Sequence, residues 1–345
     1  MQPDRRKTVR NRCLSLIRKA TFHGVFQREL EVMLDISKSY CSEIVSSLEN
    51  EGKIIRNKER GKITRIYVPD YYPGNVAGLV RVGLLRSSEY VPLLSYILEH
   101  FGQSGQNVKL RYYNSVFEIM TDFSSHALDL CLAPTTALIF SAIMGGEMKI
   151  LTGTASGGSG IIQQDNAVNE GILSTETSSM ISLALSSQLP DSYPKVVSFD
   201  EPANGLRKFL EQKYSKIAIW EPYFSSALKL KGRSVFASYN EMLDSFPCCS
   251  LASGISFFSE NRDVLEHLTE SYLSIDTLKR KDNAYYREAL RSVSRVTKFQ
   301  IQFVERTVGS YDFSSTRIEK QLLSKFGISL SERQAESIFL PGVLV

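Results

Sequence analysis

Apolar residues recur every three or four positions in the first part of the chain. Val9, Cys13, Ile17 and Ala20 follow this spacing and predict an amphipathic helix. After a break at residues 23–24, the next helix is predicted over Gln27 to Leu34. Its buried residues are expected to be Leu30, Val32 or Met33, and Leu34.

A third helix is predicted from Lys38 to about Asn50, after a three-residue turn. Ser37 can cap this helix by accepting a hydrogen bond from a free backbone N–H group. Gly52 suits a left-handed C-terminal cap. The apolar spacing predicts these inward-facing residues: Cys41, Ile44, Val45 and Leu48.

Two short β-type runs follow between residues 53 and 68, on either side of a tip at residues 59–61. Six Lys or Arg residues fall in this segment, which is typical of a basic hairpin. A cluster of Pro, Gly and Asn at residues 70–75 then predicts a domain boundary.

Beyond this boundary, strands and helices alternate at the spacing of βαβ units. The pattern predicts an α/β fold with a parallel sheet and helices on both faces, in which ligands bind at the carboxyl ends of strands. The predicted elements are strands at 78–85, 107–112, 127–133 and 149–154, and helices at 90–101, 115–124 and 135–144.

Charge is unevenly distributed along the 345 residues. Residues 1–70 hold 15 Lys or Arg against 9 Asp or Glu, whereas the remaining 275 residues hold 26 against 28. A basic N-terminal segment on a nearly neutral body indicates that the first segment binds a polyanion.

No apolar stretch approaches the length of a membrane-spanning helix, and the N-terminus shows no secretory core, so we expect a cytoplasmic protein. The five cysteines have neither zinc-ligand nor thioredoxin spacing and predict reduced thiols. The glycine-rich segment 153–160 lacks the lysine of a P-loop and does not fit the dinucleotide fingerprint. We therefore expect no metal and no cofactor.

The order of three helices and a basic hairpin resembles the winged helix-turn-helix domain of prokaryotic transcription regulators, over Arg5 to Pro69. In that family the third helix enters the major groove of double-stranded DNA and the hairpin, or wing, grips the backbone. A protein-docking module is the alternative. The resemblance implies these DNA-binding residues: Ser37, Lys38, Ser39, Tyr40, Ser42, Arg56, Lys58, Arg60, Lys62 and Arg65.

An ordered series of segments from Val76 to Lys298 resembles the type II periplasmic-binding-protein fold. The segments are VGLLRS, a helix start at Tyr90-Val91-Pro92, DLCLAPTTA, GTASGGSGI, GILSTETSSM and IAIWEPY. The nearest branch holds nitrate, sulfonate and taurine receptors and the binders and synthases of the thiamine pyrimidine precursor.

This second resemblance implies two lobes, with a ligand in the cleft between them. Lobe one would comprise 76–162 and 249–300, and lobe two 166–245, while 301–345 would be a helical extension for docking or dimerisation. The implied ligand-binding residues are Arg86, Ser87, Ser88, Tyr90, Thr135, Ser156, Gly158, Ser159, Thr175, Thr177, Trp220 and Glu221.

Together the two resemblances predict an α/β, two-lobed body preceded by an α+β winged helix-turn-helix domain. The expected function is that of a homodimeric, ligand-responsive transcription regulator, not an enzyme, which senses a small polar or anionic metabolite. The alternative is a cytoplasmic enzyme or binding protein like the thiamine pyrimidine synthases. That chemistry needs a cysteine-rich iron site and a reactive histidine, whereas the chain offers Cys248-Cys249 and four scattered histidines.

Overall fold

The computed structural model describes residues 3–58, 64–165, 167–175, 195–243, 246–274, 283–314 and 316–345. The helices in these ranges are α1 (Pro3–Lys19), α2 (Gln27–Leu34), α3 (Lys38–Asn50), α4 (Val91–Gln103), α5 (Val116–Ser124), α6 (Thr135–Ile143), α7 (Pro202–Leu210), α8 (Tyr223–Leu228), α9 (Tyr239–Leu243), α10 (Ile255–Glu260), α11 (Arg262–Ser274), α12 (Ala284–Thr297), α13 (Ile301–Val308), α14 (Lys320–Leu323) and α15 (Glu332–Ile338).

The strands in the described ranges form four sheets. They are β1 (Val25–Phe26), β2 (Ile55–Lys58), β3 (Thr64–Tyr67), β4 (Leu79–Leu85), β5 (Asn107–Tyr113), β6 (Leu130–Pro134), β7 (Met148–Gly153), β8 (Ser156–Gly157), β9 (Ser159–Gln164), β10 (Asn169–Ser174), β11 (Lys195–Ser198), β12 (Tyr214–Trp220), β13 (Arg233–Ser238), β14 (Cys249–Gly254) and β15 (Tyr311–Asp312).

The N-terminal unit packs α1, α2 and α3 against a small antiparallel sheet of order β1-β3-β2. Ser37 caps α3 as predicted, because its Oγ accepts a hydrogen bond from the Tyr40 N–H at 3.3 Å. Gly52 has the left-handed φ of +66° that the sequence indicated. The tip predicted at 59–61 lies outside the described residues.

One expectation for α2 is wrong. Val32 and Met33 are both exposed, at 76% and 54% of their surface, whereas Leu30 and Leu34 are buried. Positions 30 and 34 lie four residues apart on one helical face, position 32 lies on the opposite side of the helix, and position 33 lies at the edge of the buried face. A helix of eight residues buries only one such pair here.

The first large sheet has the order β5-β4-β6-β14-β7. β4 pairs in parallel with β5 and β6, as the alternating pattern predicted. β14 is antiparallel to both of its neighbours, β6 and β7. It comes from much later in the chain, and the local sequence pattern gave no indication of this insertion.

The second large sheet has the order β11-β10-β12-β9-β13. β9 is antiparallel to β12 and β13, so it enters this sheet in the direction opposite to β10 and β12. Residues 159–162 therefore lie in the second sheet, whereas the sequence analysis placed them in lobe one. The connection between the sheets falls just before, at residues 154–158.

Residues 301–345 pack into the main core beside the first sheet. Val304, Val308, Ile318 and Leu323 are fully or almost fully buried there. The Leu340 N–H donates to the Ile150 carbonyl at 2.8 Å, at the edge formed by β7. The expected helical extension is instead a mixture of short helices and extended backbone that completes the core.

Candidate functional site

A small cavity lies where the two large sheets meet. It encloses about 40 Å³, which is room for about three water molecules. The ends of β4 and β12 open toward it, as expected for the carboxyl ends of strands. Its walls are formed by Leu85, Ser87, Glu89, Tyr90, Val116, Pro134, Gly157, Ser159, Thr175, Trp220, Cys248, Cys249 and Tyr311.

Direct hydrogen bonds join the two sheets across this cavity. The Ser88 N–H donates to the Glu221 carbonyl at 3.2 Å, and the Trp220 indole N–H donates to the Arg86 carbonyl at 3.0 Å. The Ser87 hydroxyl also reaches the Glu221 carbonyl, at 3.4 Å. These contacts hold the two sides together, and a ligand of more than a few atoms requires them to separate.

The segment after β4 is shaped by its own side chains. The Ser87 hydroxyl accepts from the Glu89 N–H at 3.2 Å and so begins a short 3-10 turn at Ser88–Tyr90. Pro92 then lies in the first turn of α4, where its missing N–H leaves no hydrogen bond unmade. This turn points Glu89 and Tyr90 into the cavity wall.

Tyr311 closes the cavity from the C-terminal part of the chain. β15 pairs with β8, and the Tyr311 hydroxyl lies 3.1 Å from the Ser87 hydroxyl. Its ring lies over Gly158, which has a φ of +63°. Sequence reasoning missed Tyr311 because no local pattern links it to residues more than 150 positions earlier.

A carboxyl and two thiols meet in one wall. Glu89 accepts a hydrogen bond from the Thr154 hydroxyl, and burial raises its pKa from an ordinary 4.5 to about 7. The Tyr90 hydroxyl donates to the Cys249 sulfur at 3.2 Å. A hydrogen bond with Cys248, together with burial, raises the pKa of the Cys249 thiol.

This group was also missed as a unit. The spacing of the Cys248-Cys249 doublet relative to the other cysteines and the histidines did not predict a metal site. Glu89 carried no signal of its own, because it reads as an ordinary charged residue after a strand. The structure brings one ligand atom of each of the three residues within 4.8 Å of the others.

Some predicted ligand-binding residues line the cavity and others do not. Those in its walls are Ser87, Tyr90, Ser159, Thr175 and Trp220. Gly158 contributes its carbonyl to the Glu221 N–H at 2.9 Å, and Ser156 is buried with no hydrogen-bond partner for its Oγ among the described residues. Thr177 lies outside the described residues.

Three further candidates form hydrogen bonds away from the cavity. The Ser88 hydroxyl accepts from Thr307 at 3.0 Å, and Thr135 donates to the Pro247 carbonyl at 2.8 Å. The Glu221 carboxylate accepts from the backbone N–H and the hydroxyl of Ser225. These groups support the walls through their neighbours and do not face the cavity.

Arg86, the expected counter-charge for an acidic ligand, forms an ion pair with Glu201. It does not line the cavity, and no Lys, Arg or His occurs among the lining residues that the structure describes. An anion entering this space would therefore meet no basic side chain unless Arg86 left Glu201.

At the N-terminal unit, the predicted DNA-binding residues differ in their surroundings. Ser37, Lys38, Ser39 and Lys58 are exposed, and Tyr40 and Ser42 are half-buried. Arg60 and Lys62 lie outside the described residues.

Two of the predicted wing arginines are held by internal contacts. Arg56 pairs with Glu49 and lowers the pKa of that carboxylate through a hydrogen bond. Arg65 stacks over the Phe26 ring at 4.2 Å and donates to the His23 carbonyl at 2.8 Å. Their guanidinium groups therefore help to hold the hairpin against α3 and against residues 23–26.

Neither a protein-family model nor a curated protein sequence matches the chain. Solved structures do match. The ligand-binding component of an ABC-type import system from Staphylococcus aureus, with zinc bound, matches with a TM-score of 0.61 and 14% identity. The match covers 77% of this chain and 97% of that one.

Two further solved structures also match the chain. The alkanesulfonate-binding protein of Xanthomonas axonopodis pv. citri, bound to MOPS, has a TM-score of 0.56 and 14% identity over 73% of this chain and 90% of its own. The periplasmic nitrate-binding protein of Synechocystis PCC 6803 has a TM-score of 0.57 and 12% identity over 77% and 87%.

The chain has a periplasmic-binding-protein-like fold. Its two large sheets correspond to the two lobes of such proteins, and the cavity lies between these lobes. The similar structures are mostly ligand-binding components of transport systems. Among the described residues, no helix is long and apolar enough to cross a membrane.

Proposed function

We propose that the protein is a cytoplasmic, homodimeric transcription regulator that binds double-stranded DNA and responds to a small polar or anionic molecule held between its lobes. Residues 1–70 would be a winged helix-turn-helix domain, and 76–300 the two-lobed ligand-binding domain. Residues 301–345 would complete that body.

The observation that carries the DNA-binding part is the start of α3. Lys38 and Ser39 are exposed there, next to the Ser37 cap, while Cys41, Ile44 and Val45 are buried behind them. The order α1, β1, α2, α3, β2 and β3 agrees with a winged helix, and the excess of basic residues before position 70 agrees with a polyanionic partner.

The ligand-binding part is supported by the interlobe cavity and its polar lining. Hydrogen bonds from Ser88 and Trp220 join the two lobes. A ligand that binds better to one relative position of the lobes shifts the protein toward that position. Such a shift is the means by which the body would act on DNA binding.

The test is fluorescence anisotropy of the full chain on DNA from upstream of its own coding region, beside an unrelated duplex, across a range of salt concentrations. We expect a preference for its own DNA and an affinity that falls steeply with salt. Light scattering on the same sample reports whether it is a dimer.

The Lys38→Ala and Lys58→Ala variants test whether α3 and the hairpin contact DNA. Lys231→Ala, on the body, is the control because it removes the same charge. If each of the first two lysines contacts a phosphate, each variant lowers the salt slope by about one. Equal, weak binding of both duplexes, or losses no greater than that of Lys231→Ala, would exclude this surface as the DNA contact and favour protein docking.

A further inference from the structure

We propose that Glu89, Cys248 and Cys249 form a binding site for a soft divalent cation of the Zn²⁺ class. Each residue presents one ligand atom, and the three atoms lie within 4.8 Å of one another. Glu89 and Cys249 are buried and Cys248 is half-buried. All three residues line the cavity between the lobes.

The spacing suits tetrahedral zinc after small side-chain movements. Zinc binds thiolate at about 2.3 Å and carboxylate at about 2.0–2.2 Å, so ligand atoms around it stand roughly 3.5–3.8 Å apart. The three atoms would have to approach one another by about 1.3 Å at most. Two thiolates and a carboxylate are also the ligand types that a soft to borderline cation prefers.

The surroundings favour a cation over three unrelated buried groups. Among the described residues no basic side chain pairs with Glu89, and none lines the cavity. A buried carboxyl and two thiols thus converge without any positive charge between them, which is costly once they ionise. A bound cation would supply that charge. Two protons would be released as the thiols become thiolates, and a third from each Glu89 carboxyl that is still protonated.

The remaining coordination position would face the cavity. There the Tyr90 hydroxyl, which lies 3.2 Å from the Cys249 sulfur, or a water molecule could complete the tetrahedron. If the proposed function holds, the same position would accept a donor atom of the small molecule. This last point rests on that function, whereas cation binding itself does not.

The experiment is a titration of the full-length, fully reduced protein with Co²⁺ in the absence of DNA, followed by displacement with Zn²⁺. We expect one Co²⁺ per chain with a thiolate-to-cobalt charge-transfer band in the near ultraviolet, and loss of that band when Zn²⁺ is added. Cys248→Ser should lose most of the band and weaken binding at least about a hundredfold. Glu89→Gln should keep the band and weaken binding at least about tenfold.

Cys13→Ala is the control, because it also removes one buried thiol but lies in α1, within the core of the N-terminal unit. The proposal would be overturned if the wild type showed no charge-transfer band. It would also be overturned if Cys248→Ser had the same band intensity and Co²⁺ affinity as Cys13→Ala. If circular dichroism shows that Cys248→Ser is unfolded, Glu89→Gln decides, and unchanged affinity overturns it. DNA binding is measured separately, so its failure leaves this result intact.

Discussion

Gly158 lies at a point of the chain that tolerates no side chain. Its φ of +63° suits glycine, and a Cβ built on it would lie 2.2 Å from a ring carbon of Tyr311. Gly232 has a similar φ of +79°, yet a Cβ there would meet nothing within 4 Å. Replacing Gly232 therefore introduces backbone strain alone, whereas replacing Gly158 introduces both backbone strain and steric overlap.

We expect Gly232→Ala to lower the free energy of unfolding by about 1–2 kcal/mol, because of the left-handed backbone alone. Gly158→Ala should lose a further 1–3 kcal/mol or so, because the methyl group overlaps the Tyr311 ring. Urea unfolding measures both, and Tyr311→Ala in the Gly158→Ala background should recover part of the loss. Equal losses for the two glycines would contradict the contact with Tyr311.

Glu221 supports a pH prediction. Burial raises its pKa above the ordinary 4.5, so the folded protein keeps this proton at pH values where the unfolded chain has lost it. The associated stability is present in full below the unfolded pKa and is lost as pH rises through the folded pKa. We therefore expect the wild type to lose stability relative to Glu221→Gln as pH rises from acidic to neutral, measured by urea unfolding.

The comparison for Glu221 is Glu211→Gln. Hydrogen bonds from Lys213 and Arg207 lower the pKa of Glu211, so its contribution to stability grows as pH rises. As pH rises, Glu211→Gln should lose stability relative to the wild type, which is the opposite of the change expected for Glu221→Gln. The effect should be small because the Glu211 carboxylate is exposed to solvent. The same sign for both variants would exclude burial as the cause of the Glu221 effect.

Single residues also show which parts of the site could be predicted from the sequence. Ser87 and Ser159 were predicted from the resemblance to the two-lobed fold, whose motifs lie at strand ends, and both line the cavity. Arg86 matched the same pattern, but Glu201, a partner more than a hundred positions away, pairs with it. A side chain's type and local spacing predict what it can bind, whereas a distant neighbour decides whether it is available.

Among the elements, the helices of the N-terminal unit were predicted well because their signals are local. α2 and α3 have the bounds that the apolar spacing and the Ser37 cap indicated. β14 was not predicted to lie between β6 and β7, since strand pairing across such a separation leaves no periodic trace in the sequence.

A buried ion pair fastens the segment after the N-terminal unit to the first sheet. Arg81 in β4 binds Asp129 with Nε–Oδ2 and Nη2–Oδ1 distances of 2.9 and 2.6 Å, and both side chains are 1% exposed. The same guanidinium donates to the carbonyls of Tyr72 and Gly74. Arg81 thus connects the predicted domain boundary to the core of the body.

Asp129→Ala should lower the free energy of unfolding by about 3–5 kcal/mol, because it leaves the Arg81 charge buried without its partner. Glu266→Ala breaks an exposed pair with Arg262 and should lower the free energy of unfolding far less, because solvent screens the two charges. Urea unfolding compares the two, and limited proteolysis of the Asp129 variant should cut faster near residues 72–74. Similar losses in both variants would contradict a structural role for the buried pair.

At the scale of the whole molecule, the cavity is assembled from three distant parts of the chain. Residues 85–90 come from the first lobe and Trp220 from the second. Cys248, Cys249 and Tyr311 come from the part of the chain that follows the second lobe. The resemblance to a two-lobed fold predicted the first two parts, since its motifs lie at strand ends. Tyr311 lies beyond the segment that this resemblance covers.

The position of β14 also has a consequence for synthesis on the ribosome. The N-terminal unit has all its helices and strands within the first 67 residues and can fold as soon as they emerge. β6 and β7 must wait, with facing edges unpaired, until residues 249–254 are made, and the cavity is incomplete until Tyr311 follows. During that interval the nascent chain exposes two strand edges that other chains can pair with, so slow translation between residues 153 and 249 should favour aggregation or chaperone binding.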